Sequence, residues 1–225
     1  MGKTDYLKEQ AWEDTKSGNC CSEELILGTQ WSVELFGQYV LKTPREDAPN
    51  KAKELHGRHV TAIDMMKNGY YESRGLTPPV PDMDLFGHGL IQQRVKGRRL
   101  ADFSDEEISA LPESVLTDLH HLLECSLTVN QKGPGIRDFI DLPGYDLNLP
   151  WPQRSIRALQ ARYSINIMID EQEGRLFFVD PDMYFASTRN IGTKLAAASM
   201  KPIMMLFTRM FRDRIGSVIK ERIEG

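Results

Sequence analysis

Cysteine is scarce in this chain of 225 residues: there are three, and two of them, Cys20 and Cys21, are adjacent. Adjacent cysteines rarely bridge each other, and nothing resembles a paired zinc-ligand spacing, so neither a disulfide framework nor a structural zinc is expected. His120 and His121 lie near Cys125 in a helical segment, where neighbouring side chains point in different directions, which argues against a metal there. No uninterrupted apolar run of about 18 residues occurs. The N-terminus lacks a charged segment followed by an apolar run and a small-residue cleavage site, so the expected compartment is the cytoplasm. Nor does one sign of charge dominate: a net charge of -4 argues against general nucleic-acid binding. Local basic clusters, as in Arg94, Lys96, Arg98 and Arg99, are short and read as solvated faces. Internal repeats and low-complexity tracts are absent.

What remains is enough for a core, since 40% of the residues are hydrophobic. Residues 1–22 are polar and mixed in charge and read as a loosely packed helix or an arm. Val33, Leu35, Tyr39 and Leu41 then alternate, which predicts an antiparallel pair turning at Gly37-Gln38, with Pro44 ending the second strand. Between Asn50 and Asn68 the period becomes helical, with Ala52, Leu55, Val60, Ile63 and Met66 as apolar positions and Asn50 as N-cap. Gly75 to Asp84 is proline-rich and reads as a loop. Leu85 to Val95 reads as one or two strands around Gly87 and Gly89, and Gly97 punctuates the chain as a hinge would.

Asp105 to Gln131 is helical, with Leu116, Leu119, Leu123 and Leu127 on one face. Gly133 to Pro152 is irregular, and Ser155 to Tyr163 reads as a short helix. Ile165–Ile169 and Arg175–Val179 form a hairpin across Glu173-Gly174. Asn190 to Glu224 reads as one or two helices broken at Pro202. The expected class is α+β: an arm over 1–22, a β-rich lobe with one helix over 23–96 and a mainly helical lobe over 97–225.

Phosphoryl transfer asks a protein for a cation on the nucleotide phosphates, oxygen ligands for magnesium and a carboxylate near the acceptor hydroxyl. Lys42, at the end of the Tyr39–Lys42 strand, can supply the cation; taken alone it reads as a solvent-facing lysine at a strand terminus. Glu54 on the following helix could orient it, although helix-surface glutamates are common. Asn166 and Asp180 bracket the apolar hairpin and offer two hard oxygen donors of the kind Mg²⁺ takes. The plainer reading is a strand cap and a turn start at Asp180-Pro181.

Tyr39-Val40-Leu41-Lys42 resembles the nucleotide-lysine strand of the protein-kinase-like superfamily. Asn166 with Ile167-Met168-Ile169 resembles the segment at its catalytic-loop asparagine, and Phe178-Val179-Asp180 the strand ending in its metal-binding aspartate. The run from Gln92 to Leu100 is similar to its hinge, and Gly28 to Leu35 stands where its glycine loop would be. Together these span roughly residues 25 to 185 and are similar to small bacterial kinase-like proteins and, distantly, to aminoglycoside phosphotransferases. The resemblance implies a two-lobed fold, ATP and Mg²⁺ as cofactors, Gly28, Lys42 and Glu54 toward the nucleotide, and Asn166 and Asp180 toward the metal. It implies a protein or small-molecule acceptor, with Asp138 (in Arg137-Asp138) or Asp141 as the catalytic carboxylate.

The departures are specific. Only Gly28 remains of the glycine series, with Trp31 at the loop tip. The family's catalytic aspartate lies five residues before its asparagine, and Ala161 stands there; Asp138 is far upstream. A pseudokinase, a binding or regulatory module, is the alternative these departures imply. Separately, Ile203, Met204, Leu206, Phe207, Met210, Phe211 and Ile215 run beside Lys201, Arg209, Arg212 and Arg214. Such a stripe is ordinarily core, and the basic residues leave open contact with an anionic membrane surface.

Overall fold

The computed structural model describes residues 4–17, 22–27, 31–45, 50–131, 166–179 and 191–224. The chain divides into two compact units, residues 1–60 with 81–95 and residues 61–80 with 96–225. The expected class holds: strands gather in the first unit and helices dominate the second.

The first unit is a five-stranded antiparallel sheet with a helix on each face. Its strands are β1 (Glu24–Leu27), β2 (Trp31–Leu35), β3 (Tyr39–Pro44), β4 (Met83–Phe86) and β5 (Gly89–Gln93), in the order β1-β2-β3-β5-β4. The pair predicted across Gly37-Gln38 is β2–β3, and Gly87, at φ 56, turns β4 into β5. Directly opposed residues share a sheet face, so Val33, Lys42 and Leu90 lie on one side and Glu34, Leu41 and Ile91 on the other.

Helix α1 (Asp5–Ser17) covers the second of these faces, burying Leu7 and Ala11 with Phe36, Tyr39 and Ile91. The stretch read as a loosely packed helix or an arm is a helix, packed on the sheet. Lys8 Nζ reaches Asp84 on β4 at 2.6 Å, Thr4 donates its hydroxyl to the same carboxylate at 3.1 Å, and Tyr39 donates its hydroxyl to Asp14 at 2.9 Å. Those bonds tie the polar segment to the sheet, while Glu9, Glu13 and Lys16 stay exposed.

The other face packs on α2 (Lys51–Met66), where Leu55 joins Trp31 and Leu90. Two expectations change here. Trp31 is a buried member of β2, opposite Pro44, and not a loop tip. On α2 the buried row is Ala52, Leu55, His59, Ala62 and Met66, whereas Val60 is 40% exposed. Spacings of three and four keep a row on one face; Leu55 to Val60, five residues, steps off it. Asn50 at the helix start has φ 70, a left-handed conformation that asparagine tolerates.

The second unit has one continuous apolar core. The α2 helix runs on through a π-helical turn at Lys67–Tyr71, whose Tyr70 and Tyr71 are buried. The long helical region divides into α3 (Asp105–Ala110) and α4 (Glu113–Gln131), since Pro112 has no N–H to continue the ladder. Ser104 and Glu107 close a capping box at the start of α3. Leu116, Leu119, Leu123 and Leu127 of α4 are all buried, as their spacing requires.

Strands β6 (Arg98–Arg99), β7 (Ile167–Asp170) and β8 (Arg175–Phe178) form a second antiparallel sheet on this core, with Gly174 turning the predicted hairpin at φ 61. Helix α5 (Ile191–Glu224) is continuous through Pro202. Proline there removes one intrahelical bond, but the bonds on either side hold the helix, so the break expected at that residue does not occur. Ile215 of α5 enters the core, and Arg222 donates to the carbonyls of Ser109 and Leu111 at the end of α3. Among the described residues, no helix is long and apolar enough to cross a membrane.

Candidate functional site

Lys42 is the site residue whose surroundings are best defined. It sits on β3 between Val33 of β2 and Leu90 of β5, on the sheet face that α2 covers, and its relative exposure is 7%. Val40 and Gln92 are opposed one step along the same face, and Gln92 is buried too. An ammonium group held in such a place needs charged or hydrogen-bonding partners, because burying an unpaired charge costs several kcal/mol, by order of magnitude. The backbone around it is fixed from the other side as well. A Cβ on Gly89 would lie 2.4 Å from the Lys42 carbonyl oxygen, so only glycine lets β5 approach β3 at this point.

Glu54 occupies the first turn of α2, where its carboxylate meets Lys51 Nζ at 3.4 Å, with the glutamate side chain 59% exposed. Deeper on the same helix lies a residue that the sequence reading passed over. His59 is 1% exposed, its Nδ1 lies 3.3 Å from Met83 Sδ, and its ring is 6.3 Å from that of Trp31. The signal for it was the spacing alone, four after Leu55, masked by the residue's polarity. Near it, His56 Nε2 stands 3.9 Å from Asp84 Oδ1. Burial lowers the pKa of His56 despite the opposing pull of Asp84.

Asp84 itself is the other residue missed. Burial works to raise its pKa, but the hydrogen bond and charge of Lys8, the Leu85 N–H and the Thr4 hydroxyl outweigh that and hold it below the ordinary carboxylate value.

In the second unit, Asn166 stands immediately before β7, and its backbone carbonyl accepts from Val179 N at 2.8 Å. The hairpin register, Ile167 opposite Phe178, therefore extends one step to Asn166 and Val179, next to Asp180 in the chain. At the far end Asp170 accepts from the Gln172 and Glu173 N–H groups, 3.0 Å each, and closes the turn. Gly28, Asp138, Asp141 and Asp180 lie outside the described residues.

Gly97 is locked to this sheet: a Cβ there would fall 2.2 Å from the Ile169 carbonyl oxygen. Two arginines of the basic cluster around it are paired with carboxylates. Arg94 bonds Glu23 and the Phe36 carbonyl in the first unit. Arg98 bonds Glu107 and Glu171 in the second and stacks on Phe103 at 3.8 Å. Among the described residues no group of His, Cys, Asp and Glu could hold a metal ion by itself. His121 meets the Tyr70 hydroxyl at 2.9 Å while His120 lies against Gly216, so the neighbouring histidines do diverge. Cys125 is buried, which pushes its thiol pKa up to about 12.

No family model matches the chain, and no curated protein matches it. Among solved structures it is similar to a Legionella pneumophila kinase bound to IP6, at 12% identity and a TM-score of 0.46, covering 83% of this chain and 57% of that one. It is also similar to an aminoglycoside phosphotransferase from Streptomyces rimosus, at 12% identity and a TM-score of 0.34, covering 96% and 98% of the two chains. The similarity is to kinase-like proteins, and it is distant. This chain spans little more than half the length of the Legionella kinase.

Proposed function

We propose that the chain is a kinase-like phosphotransferase that binds ATP with Mg²⁺ and passes phosphate to a hydroxyl of a protein or small molecule. The observation that carries this reading is Lys42, a cation held at 7% exposure on an otherwise largely apolar sheet face. In this role its ammonium meets the nucleotide phosphates, with Gly28 in the turn that covers them and Glu54 as the residue assigned to orient the lysine. The Asn166 amide and the Asp180 carboxylate are hard oxygen donors that suit Mg²⁺, which would neutralise charge on the transferred group. Asp138 or Asp141 accepts the proton of the attacking hydroxyl as its oxygen bonds to phosphorus and the bond to the departing diphosphate breaks.

A second reading, a catalytically impaired module that keeps nucleotide affinity and acts by binding, draws on two observations. Glu54 is engaged by Lys51, and Ala161 stands where the resemblance places the catalytic aspartate.

Thermal unfolding with and without ATP and Mg²⁺ tests both. A ligand at about 100 times its dissociation constant stabilises a folded protein by roughly 2.7 kcal/mol, a readily measured rise in Tm. The rise should need Mg²⁺ and disappear in Asp180→Ala and in Lys42→Met. No shift at millimolar ATP would sink both nucleotide readings. With binding established, phosphate transfer that Asp138→Asn or Asp141→Asn abolishes selects the enzyme; binding without any transfer selects the module.

A further inference from the structure

The face of the first sheet that α2 covers buries an imidazole, and the strand register says what lies beneath it. His59 touches residues at opposite corners of that face. Its Nδ1 lies 3.3 Å from Met83 Sδ on β4, and its ring is 6.3 Å from that of Trp31 on β2. Met83 is opposed to Gln92, and Trp31 to Pro44. Between those two rows runs a third, Val33, Lys42, Leu90 and Leu85, roughly 7 Å from each. Across the sheet, too, β3 and β5 lie between β2 and β4. An imidazole that reaches both corners therefore stands over the middle of the face, where Lys42 and Leu90 are. Leu55, one turn before His59, packs with Leu90 and Trp31 and fixes the same alignment.

The contact with Met83 also fixes the polarity of the ring. A thioether carries no proton, so Nδ1 can bond Met83 only as a donor, and the neutral ring then presents Nε2 as a lone-pair acceptor. A lysine ammonium is the reverse, three donors and no acceptor. Lys42, 7% exposed, and His59, 1% exposed, are thus complementary groups in one buried layer. Their neighbours in the buried α2 row, Ala52, Leu55 and Ala62, have no acceptor to offer. Glu54 points elsewhere: it is 59% exposed and meets Lys51.

We propose that His59 is a further positioning residue of the site, its Nδ1–H anchored on Met83 and its Nε2 accepting from the Lys42 ammonium. The imidazole then holds the lysine on the sheet face, ready for the nucleotide phosphates. The service to phosphate binding rests on the phosphotransferase reading; the contact between the two side chains does not.

The test is nitrogen NMR of the full chain with isotopically labelled histidine, without nucleotide and with the His59 resonances assigned through bonds. The ring should be the Nδ1–H tautomer. Met83→Leu should relax that preference, and Lys42→Met should move the Nε2 resonance more than that of Nδ1. A histidine that only fills space shows neither response. An Nε2–H tautomer, or an Nε2 resonance indifferent to Lys42→Met, overturns the proposal. The second arm is the rise in melting temperature with ATP and Mg²⁺. His59→Leu, close in size but without an acceptor, should weaken apparent ATP affinity about ten-fold, as loss of one hydrogen bond to a charged group implies. His59→Gln, with an amide oxygen, should restore most of that loss. Equal weakening by both variants overturns the positioning role and leaves a packing residue. If ATP does not stabilise the parent protein, the phosphotransferase reading fails, and the nitrogen spectrum decides the contact by itself.

Discussion

The two units gather their apolar contacts in different ways. The first is a thin sheet between two helices, its apolar contacts split into two small clusters, with Lys42, His59 and Gln92 inside. Among the described residues, the second gathers twenty buried ones from α2, the π-helical turn, α3 and its flanks, α4, the second sheet and α5 into one core. Its ion pairs, such as Arg212 with Glu124 and Arg98 with Glu107, stay near the surface, while Ser126 and Asp170 are buried. The difference teaches where each unit puts its free energy. A continuous apolar core stabilises by area removed from water, whereas a sheet that holds a cation in its interior gives up part of that stability.

Truncating matched leucines breaks or sharpens that contrast most strongly. Leu119→Ala in the second core should cost about 3–4 kcal/mol in urea unfolding, and Leu90→Ala on the Lys42 face about 2–3 kcal/mol. An equal or reversed order would remove the claim that the second core is the better packed.

Two glycines give the next effect. Gly97→Ala drives a Cβ into the backbone of Ile169, and Gly89→Ala into that of Lys42. Each should destabilise by at least about 2 kcal/mol, since backbone yields less than a side chain does. Only Gly89→Ala should also weaken the ATP-dependent rise in melting temperature beyond its effect on stability. If Gly97→Ala weakens it equally, the local role given to the β3–β5 approach is wrong.

The smallest effect is at Asp84. Its side chain is 38% exposed, so removing the Lys8 pair by Asp84→Asn should cost no more than about 1 kcal/mol. Because the folded carboxyl has a lowered pKa, the unfolded state binds more protons in the acid range, and stability rises with pH there. The contribution is present above the unfolded pKa and is lost as pH falls through the folded one. Urea titrations across that range should show a shallower acid limb for Asp84→Asn, and an unchanged limb would show that the α1 contact carries no measurable linkage.

Much of the fold was legible because its signals are local. The Gly37-Gln38 and Glu173-Gly174 turns, the leucine face of α4 and the glycine at position 97 each depend on neighbours within a few residues or on backbone that only glycine tolerates. Of the site, Lys42 could be placed on its strand and Asn166 at the mouth of its hairpin in the same way. The residues missed were those whose role depends on a distant partner. Asp84 matters because Lys8 and Thr4 reach it from α1, and His59 is buried because β2 and β4 supply Trp31 and Met83 around it.

The sequence by itself determined where strands, turns and most helices form and that the chain is α+β, since periodicity and turn chemistry act over short range. Tertiary structure alone decided that a polar N-terminal segment becomes a packed layer, that α5 passes unbroken through Pro202, and which face of α5 is buried. It also decided that Lys42 lies inside rather than at a solvent-facing strand end. Burial is a property of what packs against a residue, and the partners here come from elements tens of residues away.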